Sequence, residues 1–324
     1  MKKIAIYGTF NDGMKAALHE KCPAGFTLRE VPMGDLTALS EADYVVCRAA
    51  AMTDEIFSQL PNLKLLQKWG VGYDKIDVEA AGARGIPVAV CVGGNALPVA
   101  ELTVTLMLSV LRNCVALASR MKQGDWARNE FAERSYLLHG KTVGLLGIGN
   151  IAKQVAQILR GGFACNILYY DVFRLTSEQE AALGVTYADL DTLMRESDVV
   201  SVHVPLLEST AGMIDRSKLA LMKPTACLIN TSRGGVVNEA DLIDALESGQ
   251  ILGAGLDTYE KEPLDASSPL LHLDCVVTTP HAGGNTADND INMAAICMNN
   301  IAQFDAEGGA AMRAIVNRSF LKSL

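Results

Sequence analysis

Long hydrophobic runs are scarce in this 324-residue sequence. The longest apolar stretch, at residues 102–111, is bounded by Glu101 and Arg112 and is far shorter than the roughly 20 residues that span a bilayer. The opening MKKIAIYGTF carries only a short apolar run, well below the core of a signal peptide. These absences predict a soluble, cytoplasmic protein without a membrane partner.

Basic charge is also in short supply, because 28 Lys and Arg residues stand against 37 Asp and Glu residues and give a formal net charge of -9. An acidic chain without a basic cluster is a poor ligand for phosphate backbones, so we expect no nucleic-acid partner. Hydrophobic residues make up 49% of the chain and charged residues 20%, which excludes a disordered chain and predicts a large buried core.

Paired metal-binding or redox motifs are missing too. The eight cysteines, at positions 22, 47, 91, 114, 165, 227, 275 and 297, form no CxxC pair, and the five histidines show no HExxH spacing. The sequence therefore predicts no metal site. Cysteines spread through a large domain are typical of buried thiols in a reducing compartment.

Short β-rich segments alternate with amphipathic helical segments along almost the whole chain, a pattern typical of parallel α/β layers. Two series of strands are predicted, the first from KIAIYG to PVAVCV and the second from TVGLLG to CVVTTP. At roughly 150 residues per domain, the length also favours two domains. We therefore predict an α/β protein with two doubly wound parallel-sheet domains.

The segment NALPVAELTVTLMLSVLRN joins the two series of strands. Asn95 is the predicted N-cap of its helix, and Pro98 suits the first turn. The helix is apolar on all sides, so we expect it to be buried on all sides. It is either a central core helix or a helix that joins the domains and also packs against a second subunit. Another helix, from about residue 286 to 304, would make the first domain discontinuous if it returned there.

The strand TVGLLG runs into the turn GIGNIA and then into a helix. In such a turn Gly147 permits the sharp bend, Gly149 lets a pyrophosphate approach the backbone, and Ala152 allows close packing of helix on strand. Asp171 ends the next strand, 19 residues after Ala152, near the spacing of the carboxylate that binds the adenine ribose. Glycine-rich turns also occur for steric reasons alone, but the whole pattern predicts a dinucleotide site, and the acid favours NAD over NADP.

Three further polar segments follow strands of the same half, where doubly wound sheets place ligands. They contain Arg233 in INTSRGG, Asp257, Glu260 and Glu262 in LDTYEKEP, and His281 in TPHAGGNT. Taken singly, each has an ordinary interpretation: a surface arginine, solvated acids and a structural histidine. Together they supply what a nicotinamide enzyme needs for a 2-keto acid, namely a planar fork for the carboxylate and a histidine that moves a proton beside a carboxylate.

Seven motifs follow one another along the chain: GVGYDKID, VAELTVTLML, GKTVGLLGIGNIA, SVHVPL, INTSRGGVVNEADLIDAL, GAGLDTYEKEP and TPHAGGNT. In this order, from about residue 43 to 302, they resemble the D-isomer-specific 2-hydroxyacid dehydrogenases, a family that includes phosphoglycerate dehydrogenases and glyoxylate or hydroxypyruvate reductases. The resemblance implies an NAD-dependent oxidoreductase acting on a 2-hydroxy or 2-keto acid, and it agrees with a homodimer. It also implies a Rossmann-type cofactor domain at 98–285, inserted in a discontinuous, flavodoxin-like substrate domain at 1–97 and 286–324.

The resemblance makes Arg233 the substrate-binding arginine, His281 the acid/base, and Glu262, directly before a proline, its supporting acid, so that Glu260 has no role. Together with the glycine-rich turn, it implies cofactor contacts at Gly147, Gly149, Asn150, Ile151, Asp171, His203, Pro205, Thr231, Arg233, Asp257, His281 and Gly284. His203 could equally be a satisfied core histidine. The substrate-binding residues are expected to be Arg48, Val71, Gly72 and Arg233. The Val71 and Gly72 amides would form an anion nest, although a tight turn alone would also use glycine there.

Two departures from the family pattern bear on the ligands. NALPVAE lacks the hydroxyl-bearing residue that often follows the asparagine, which puts a cofactor bond there in doubt. Arg48 is followed by three alanines, whereas phosphate recognition usually gathers several cations and donors. We therefore favour a small unphosphorylated keto acid such as glyoxylate or hydroxypyruvate, although Lys68 could still contribute to a phosphate site.

Three alternatives stay open at this point. The first is a phosphoglycerate dehydrogenase, and the second is a related dehydrogenase that oxidises a small anion such as formate or phosphite. The third belongs to another class: an NAD-responsive binding protein of the same fold. The lack of disordered tails and of a basic patch argues against the binding protein.

Overall fold

The computed structural model describes residues 1–321, and the chain divides into two compact units. Unit 1 comprises Met1–Asn95 and Gly284–Leu324, and unit 2 comprises Ala96–Gly283. The boundaries predicted from the sequence, after residues 97 and 285, each lie two residues away from these. Each unit contains one parallel sheet covered by helices, which confirms the predicted fold class.

Strands and helices are numbered here in chain order. The strands are β1 (Lys2–Gly8), β2 (Phe26–Val31), β3 (Tyr44–Arg48), β4 (Leu65–Lys68), β5 (Val88–Ala89), β6 (Thr142–Leu146), β7 (Asn166–Tyr170), β8 (Val185–Tyr187), β9 (Val199–Val202), β10 (Cys227–Asn230), β11 (Gly253–Leu256) and β12 (Val276–Thr278). The helices are α1 (Asp12–Lys21), α2 (Leu36–Leu39), α3 (Asp54–Ser58), α4 (Val78–Ala83), α5 (Ala96–Leu111), α6 (Cys114–Lys122), α7 (Asn150–Phe163), α8 (Ser177–Leu183), α9 (Leu190–Glu196), α10 (Arg216–Leu219), α11 (Glu239–Glu247) and α12 (Ala287–Glu307).

Unit 1 is a five-stranded parallel sheet in the order β2-β1-β3-β4-β5. This is the strand order of flavodoxin-like sheets, which bind ligands at the carboxyl ends of the strands. Its strands are apolar because both faces are covered: α1 and α12 pack on one face, and α3 and α4 lie with the core of the other. Helix α12 follows unit 2 along the chain and belongs to unit 1, which therefore consists of two separate segments.

Unit 2 is a seven-stranded parallel sheet in the order β12-β11-β10-β9-β6-β7-β8. The chain starts at β6, moves outward to β8, and then crosses to β9 and continues to β12, which is the doubly wound Rossmann pattern. The order reverses between β6 and β9, so a crevice opens where their carboxyl ends diverge. Every residue of β9, β10 and β11 is buried, as expected of strands covered on both faces.

Helix α5 lies directly over β10 and β11. Two glycines of β11 allow this close approach, because a Cβ on Gly255 would lie 2.9 Å from the Leu106 Cβ and one on Gly253 would lie 3.0 Å from Val110. The predicted N-cap is wrong, since the buried Asn95 Oδ1 has no hydrogen-bond partner. The expectation of burial on all sides is also wrong for the single chain. The side chains of α5 that remain exposed are Leu97, which is 52% exposed, Glu101 and Thr105.

Within residues 1–321, no single helix is long and apolar enough to cross a membrane. The one pair of helices that is long and apolar enough when taken together, α5 with α6, is bent by 67°. In the same residues, no group of three or more His, Cys, Asp or Glu side chains is placed to hold a metal ion.

Candidate active site

The turn between β6 and α7 has room for a ligand against its backbone. Gly147 adopts a φ of +95°, and a Cβ on it would lie 3.0 Å from the His203 carbonyl group, so glycine is required there. Gly149 precedes α7, and a Cβ on it would meet no atom within 4 Å. Asn150 and Ile151 begin α7, whose first N–H groups have no partner inside the helix. The turn therefore fits the pyrophosphate of a dinucleotide.

Asp171 follows β7 and fixes the same turn. Its Oδ2 accepts a hydrogen bond of 2.9 Å from the Ile148 N–H, and its Oδ1 accepts one of 2.9 Å from the Phe173 N–H. A carboxylate oxygen can accept more than one hydrogen bond, so capacity remains for the hydroxyls of a ribose. The structure thus holds Asp171 beside the glycine-rich turn, where the sequence prediction requires it.

His203 follows β9, and its ring has a partner within the protein. Its Nε2 lies 2.9 Å from the Ser201 Oγ. Burial lowers the pKa of His203 to about 4, so the ring is neutral at pH 7 and cannot act as a proton donor there. This favours the interpretation as a satisfied histidine, whose backbone closes against Gly147. Pro205, two residues further on, is exposed.

Thr231 directly follows β10 and is buried against α5. Its Oγ1 lies 2.9 Å from the Oγ1 of Thr103, and Thr103 also donates a hydrogen bond of 2.7 Å to the Val99 carbonyl. Because the single hydroxyl hydrogen of Thr103 goes to Val99, Thr231 must be the donor to Thr103. A cofactor contact through the Thr231 hydroxyl would therefore have to use its lone pairs.

Arg233 lies in the loop after β10, and Asn230 shapes that loop. The Asn230 Nδ2 donates a hydrogen bond of 2.9 Å to the Arg233 carbonyl, and its Oδ1 accepts one of 3.1 Å from the Ser232 N–H. The guanidinium itself donates to the Ser232 carbonyl at 2.7 Å. A Cβ on Gly234 would lie 1.8 Å from the Tyr259 carbonyl carbon, so the loop rests directly on the segment after β11. The sequence patterns do not reveal this close approach.

Asp257 immediately follows β11, is buried, and holds the loop that carries His281. Its Oδ1 accepts hydrogen bonds from the Thr279 hydroxyl at 2.6 Å and the Ala282 N–H at 2.8 Å. Its Oδ2 accepts one of 2.9 Å from the Gly283 N–H. These three bonds make Asp257 an anchor of the residue 279–283 loop, and its predicted contact with the cofactor stays a prediction.

His281 and Glu262 are in direct contact. The His281 Nδ1 lies 2.8 Å from the Glu262 Oε2, and the two side chains are 47% and 36% exposed. The other Glu262 oxygen, Oε1, accepts a hydrogen bond of 3.2 Å from the Tyr259 N–H. This contact fixes the Nδ1 side of the ring and leaves Nε2 as the nitrogen that can exchange a proton with a ligand.

Tyr259 and Glu260 lie between Asp257 and Glu262 and have structural partners. The Tyr259 hydroxyl is 2.9 Å from the Thr279 carbonyl oxygen, which ties the two loops together, and burial raises the pKa of Tyr259 to about 12. The Glu260 side chain accepts a hydrogen bond of 2.9 Å from the Glu239 N–H at the start of α11. The structure therefore pairs His281 with Glu262 and directs Glu260 to α11.

The predicted substrate residues of unit 1 lie at the carboxyl edge of its sheet. Arg48 ends β3 and donates hydrogen bonds to the Thr9 carbonyl at 2.6 Å and to the Asn285 Oδ1 at 3.0 Å. Val71 and Gly72 follow β4 in a turn that begins at Gly70, with a φ of +118°. Gly284, a predicted cofactor contact, is the first residue of the returning segment of unit 1.

The profile of the D-isomer specific 2-hydroxyacid dehydrogenase NAD binding domain matches residues 104–283, more than half of the chain. The chain belongs to this family. The match includes the β6–α7 turn, Asp171 and the loops of Arg233, Glu262 and His281. The family assignment made from the sequence motifs is confirmed, and so is NAD as the cofactor.

Relatives of this dehydrogenase family member differ in their named substrates. This chain is 38% identical over 275 residues to the D-3-phosphoglycerate dehydrogenase of Archaeoglobus fulgidus, and the match covers 85% of this chain but only half of that protein. It is 38% identical over 294 residues to the glyoxylate reductase of Thermococcus litoralis, covering 89% of this chain and 87% of the relative.

A solved D-isomer specific 2-hydroxyacid dehydrogenase has the same fold. The NAD-complexed structure from Lactobacillus delbrueckii ssp. bulgaricus is 27% identical, with a TM-score of 0.80 that covers 97% of this chain and all of that one. The comparison agrees with the two sheets described above. It extends the structural likeness over both units of this dehydrogenase, beyond the residues that the domain profile matches.

Proposed function

We propose that the protein is an NAD-dependent D-2-hydroxyacid dehydrogenase that interconverts a small 2-keto acid and its D-2-hydroxy acid. The observation that carries this proposal is the contact of 2.8 Å between His281 and Glu262, on two loops tied together by Asp257 and Tyr259. A histidine held by a carboxylate is suited to give a proton to a carbonyl oxygen or to take one from a hydroxyl. Arg233, in the loop after the neighbouring strand β10, offers a planar cation for the substrate carboxylate.

The protein would position the reactants and handle the proton. Bound NADH would supply the hydride, held by the turn at Gly149 and the carboxylate of Asp171. Arg233 would hold the substrate carboxylate and polarise its carbonyl group, with the amides of Val71 and Gly72 as further donors. In reduction, protonated His281 would transfer its Nε2 proton to the developing alkoxide, while Glu262 stabilises the imidazolium. In oxidation, the neutral ring would take the proton back.

For the substrate, we favour an unphosphorylated acid of the glyoxylate or hydroxypyruvate type. The Arg48 guanidinium already donates to Thr9 and Asn285, and the Lys68 ammonium donates to the Trp69 carbonyl at 2.8 Å. Burial lowers the pKa of both groups, so placing another buried cation–anion pair there would have to overcome desolvation. Phosphoglycerate dehydrogenase is the second candidate, because one of the relatives carries that name.

A panel of substrates tests this proposal. NADH oxidation by the purified protein should be fastest with glyoxylate or hydroxypyruvate and slower with pyruvate and phosphohydroxypyruvate. Preference for phosphohydroxypyruvate would support the phosphoglycerate alternative. NAD reduction by formate or phosphite would place the protein among the small-anion dehydrogenases. NADH binding without turnover of any acid or anion would support a binding protein.

We also propose a homodimer built across unit 2. Several large apolar side chains of unit 2 are exposed in the single chain: Leu97 on α5, Val115 and Met121 on α6, and Trp126 after α6, which is 75% exposed. Exposed apolar surface of this kind can mark an interface. Light scattering at micromolar concentration should give twice the 34.6 kDa chain mass, and a mass of one chain would contradict the proposal.

The cofactor preference should depend on Asp171. Its charge repels a 2′-phosphate and its oxygens accept ribose hydroxyls, so kcat/KM for NADH should exceed that for NADPH. Asp171→Asn loses the charge and keeps one acceptor oxygen, which can serve either the Ile148 or the Phe173 N–H. It should reduce the ratio by about 10-fold to 100-fold, the value of one charged hydrogen bond. Steady-state kinetics with both cofactors measure this. Equal kcat/KM values in the unmutated enzyme would contradict the assignment.

A further inference from the structure

Two buried thiols lie beside the Gly70–Gly72 turn, which the proposed function assigns to the substrate carboxylate. Cys91 follows β5 and Cys297 lies on α12, and their Sγ atoms are 3.4 Å apart. Both are free thiols, and both are fully buried. A disulfide bond of about 2.05 Å requires the two sulfurs to approach by about 1.4 Å. We propose that Cys91 and Cys297 are a redox-modification site, joined reversibly as a disulfide when a peroxide oxidises Cys91.

The surroundings of Cys91 are polar, unlike those of an inert core thiol. The Gln67 Nε2 donates a hydrogen bond of 3.5 Å to the Cys91 Sγ, and Gln67 is in turn held by the Asn300 Nδ2 at 3.0 Å. The Cys91 Sγ also lies 3.4 Å from the Lys68 carbonyl oxygen. Cys91 therefore lies in a polar network of hydrogen bonds and not in an apolar core.

The two thiols are not equivalent. The hydrogen bond from the Cys297 thiol stabilises a thiolate at Cys91 and lowers the pKa of Cys91, and the nearby positive charge of Lys68 acts in the same direction. Burial raises the pKa of Cys297. Cys91 also adjoins the exposed residue Val92, whereas Cys297 lies within α12, so we assign Cys91 as the nucleophile that meets the oxidant and Cys297 as the thiol that resolves the product.

Cys91 adjoins an exposed turn. The next residue, Val92, is 53% exposed and begins the turn that leads to α5. Opening this turn would uncover Cys91 without unfolding the sheet. The same opening would not expose Cys297, which lies within α12.

The chemistry balances with one peroxide per pair. The Cys91 thiolate attacks one oxygen of hydrogen peroxide, the O–O bond breaks, and Cys91 becomes a sulfenic acid while hydroxide leaves and takes up a proton as water. The Cys297 sulfur then attacks the Cys91 sulfur, the S–O bond breaks, and a second water is released. Two thiols lose two electrons and the peroxide gains them. A dithiol reductant reverses the change by thiol–disulfide exchange.

A disulfide between Cys91 and Cys297 would act directly on the Gly70–Gly72 turn. The Cys91 N–H donates a hydrogen bond of 2.9 Å to the Gly70 carbonyl, and Gly70 leads into Val71 and Gly72. Drawing Cys91 towards α12 would therefore move the amides that the proposed function assigns to the substrate carboxylate. The effect on turnover rests on that function, whereas formation of the disulfide does not.

Peptide mapping of the full chain tests the site. After hydrogen peroxide, alkylation of the remaining thiols and digestion without reductant, mass spectrometry should find a peptide that joins Cys91 to Cys297, and dithiothreitol should remove it. Cys297→Ser, which keeps a hydroxyl donor facing Cys91 but cannot form the disulfide, should instead leave a sulfenic acid at Cys91 that dimedone captures. Cys114→Ala, which removes an exposed thiol, is the matched control and should leave the joined peptide unchanged.

Either of two mapping results would overturn the site: both thiols alkylated as in untreated protein, or Cys91 joined to Cys47 or to another chain instead. Oxidation should also lower kcat/KM for the keto acid by about fivefold or more, with recovery on reduction and with NADH affinity unchanged. A joined peptide with unaltered kcat/KM would overturn the effect on the turn. If no acid is turned over at all, the proposed function fails while the mapping still decides the disulfide.

Discussion

Arg233→Ala is expected to lower kcat/KM for the 2-keto acid by about 10³-fold, the upper range for loss of one preorganised donor to a developing oxyanion. The reason is that this substitution removes both the charge and the planar fork that would hold the carboxylate. Arg233→Lys keeps the charge but loses the fork, so it should be impaired to a smaller degree. The bond from the guanidinium to the Ser232 carbonyl also orients the fork, and a lysine ammonium cannot serve both partners with the same geometry.

A matched control is available in the same unit. Arg216 pairs with Asp241 and Asp244 at the surface of α10 and α11, so Arg216→Ala removes an arginine without touching the proposed site. It should retain turnover close to that of the unmutated enzyme. NADH affinity, measured by fluorescence titration, should change far less than turnover in all three variants. Folded Arg233→Ala with full activity would show that the substrate carboxylate is held elsewhere.

Much of the fold could be predicted because its signals are local. Buried parallel strands give short apolar runs, and the GIGNIA turn needs glycine at Gly147 for reasons visible within a few residues. The exposed stripe of α5 contains Glu101 and Thr105, whose spacing of four residues marks that side in the sequence, whereas the exposure of Leu97 depends on packing. The failure of Asn95 as a cap has a similar cause, since local preference competes with the course of the chain before the helix.

The site shows the same division between local and distant contacts. Gly234 looks like a flexible residue in the sequence, whereas the structure requires it because the Tyr259 backbone occupies the position of a Cβ. Asp257 reaches the Gly283 N–H, 26 residues away, and Cys91 meets Cys297 across 206 residues. No periodicity or spacing rule reports such contacts. The pairing of Glu262 with His281 could be anticipated only through the family resemblance, which singled out the acid before the proline.

His281 should be the other position with a large effect. Removing the proton donor is expected to lower turnover by about 10³-fold, within the range of general acid–base catalysis. His281 has a φ of +52°, in the left-handed region, where asparagine is tolerated better than most residues. His281→Asn is therefore a better test than His281→Ala, because it keeps the loop conformation and lacks a group that titrates. Single-turnover kinetics after confirmed NADH binding measure the loss.

Glu262→Gln should change the pH dependence because of the two contacts of the carboxylate. One oxygen faces the His281 Nδ1 and the other accepts from the Tyr259 N–H. An amide has only one acceptor oxygen, so it cannot accept from both. If the amide oxygen accepts from the Tyr259 N–H, the amide NH₂ group faces the Nδ1 of His281. If the amide oxygen instead accepts from the His281 Nδ1–H, the amide NH₂ group faces the Tyr259 N–H, so that two donors face each other. Either arrangement makes the imidazolium less favourable than in the unmutated protein, where a charged carboxylate faces it.

The pH–rate profiles of both directions follow from this argument. Reduction requires protonated His281, so its alkaline fall in kcat/KM should move to lower pH in Glu262→Gln, with lower activity near neutrality. Oxidation requires neutral His281, so its rising limb should also move to lower pH, with a lower plateau from a weaker base. Glu260→Gln is the matched control, because the Glu260 carboxylate is bonded to the start of α11 and its loss should leave both profiles in place. If the Glu260 variant moved the profiles and the Glu262 variant did not, the supporting acid would be Glu260, and the contact of His281 with Glu262 would not govern proton transfer.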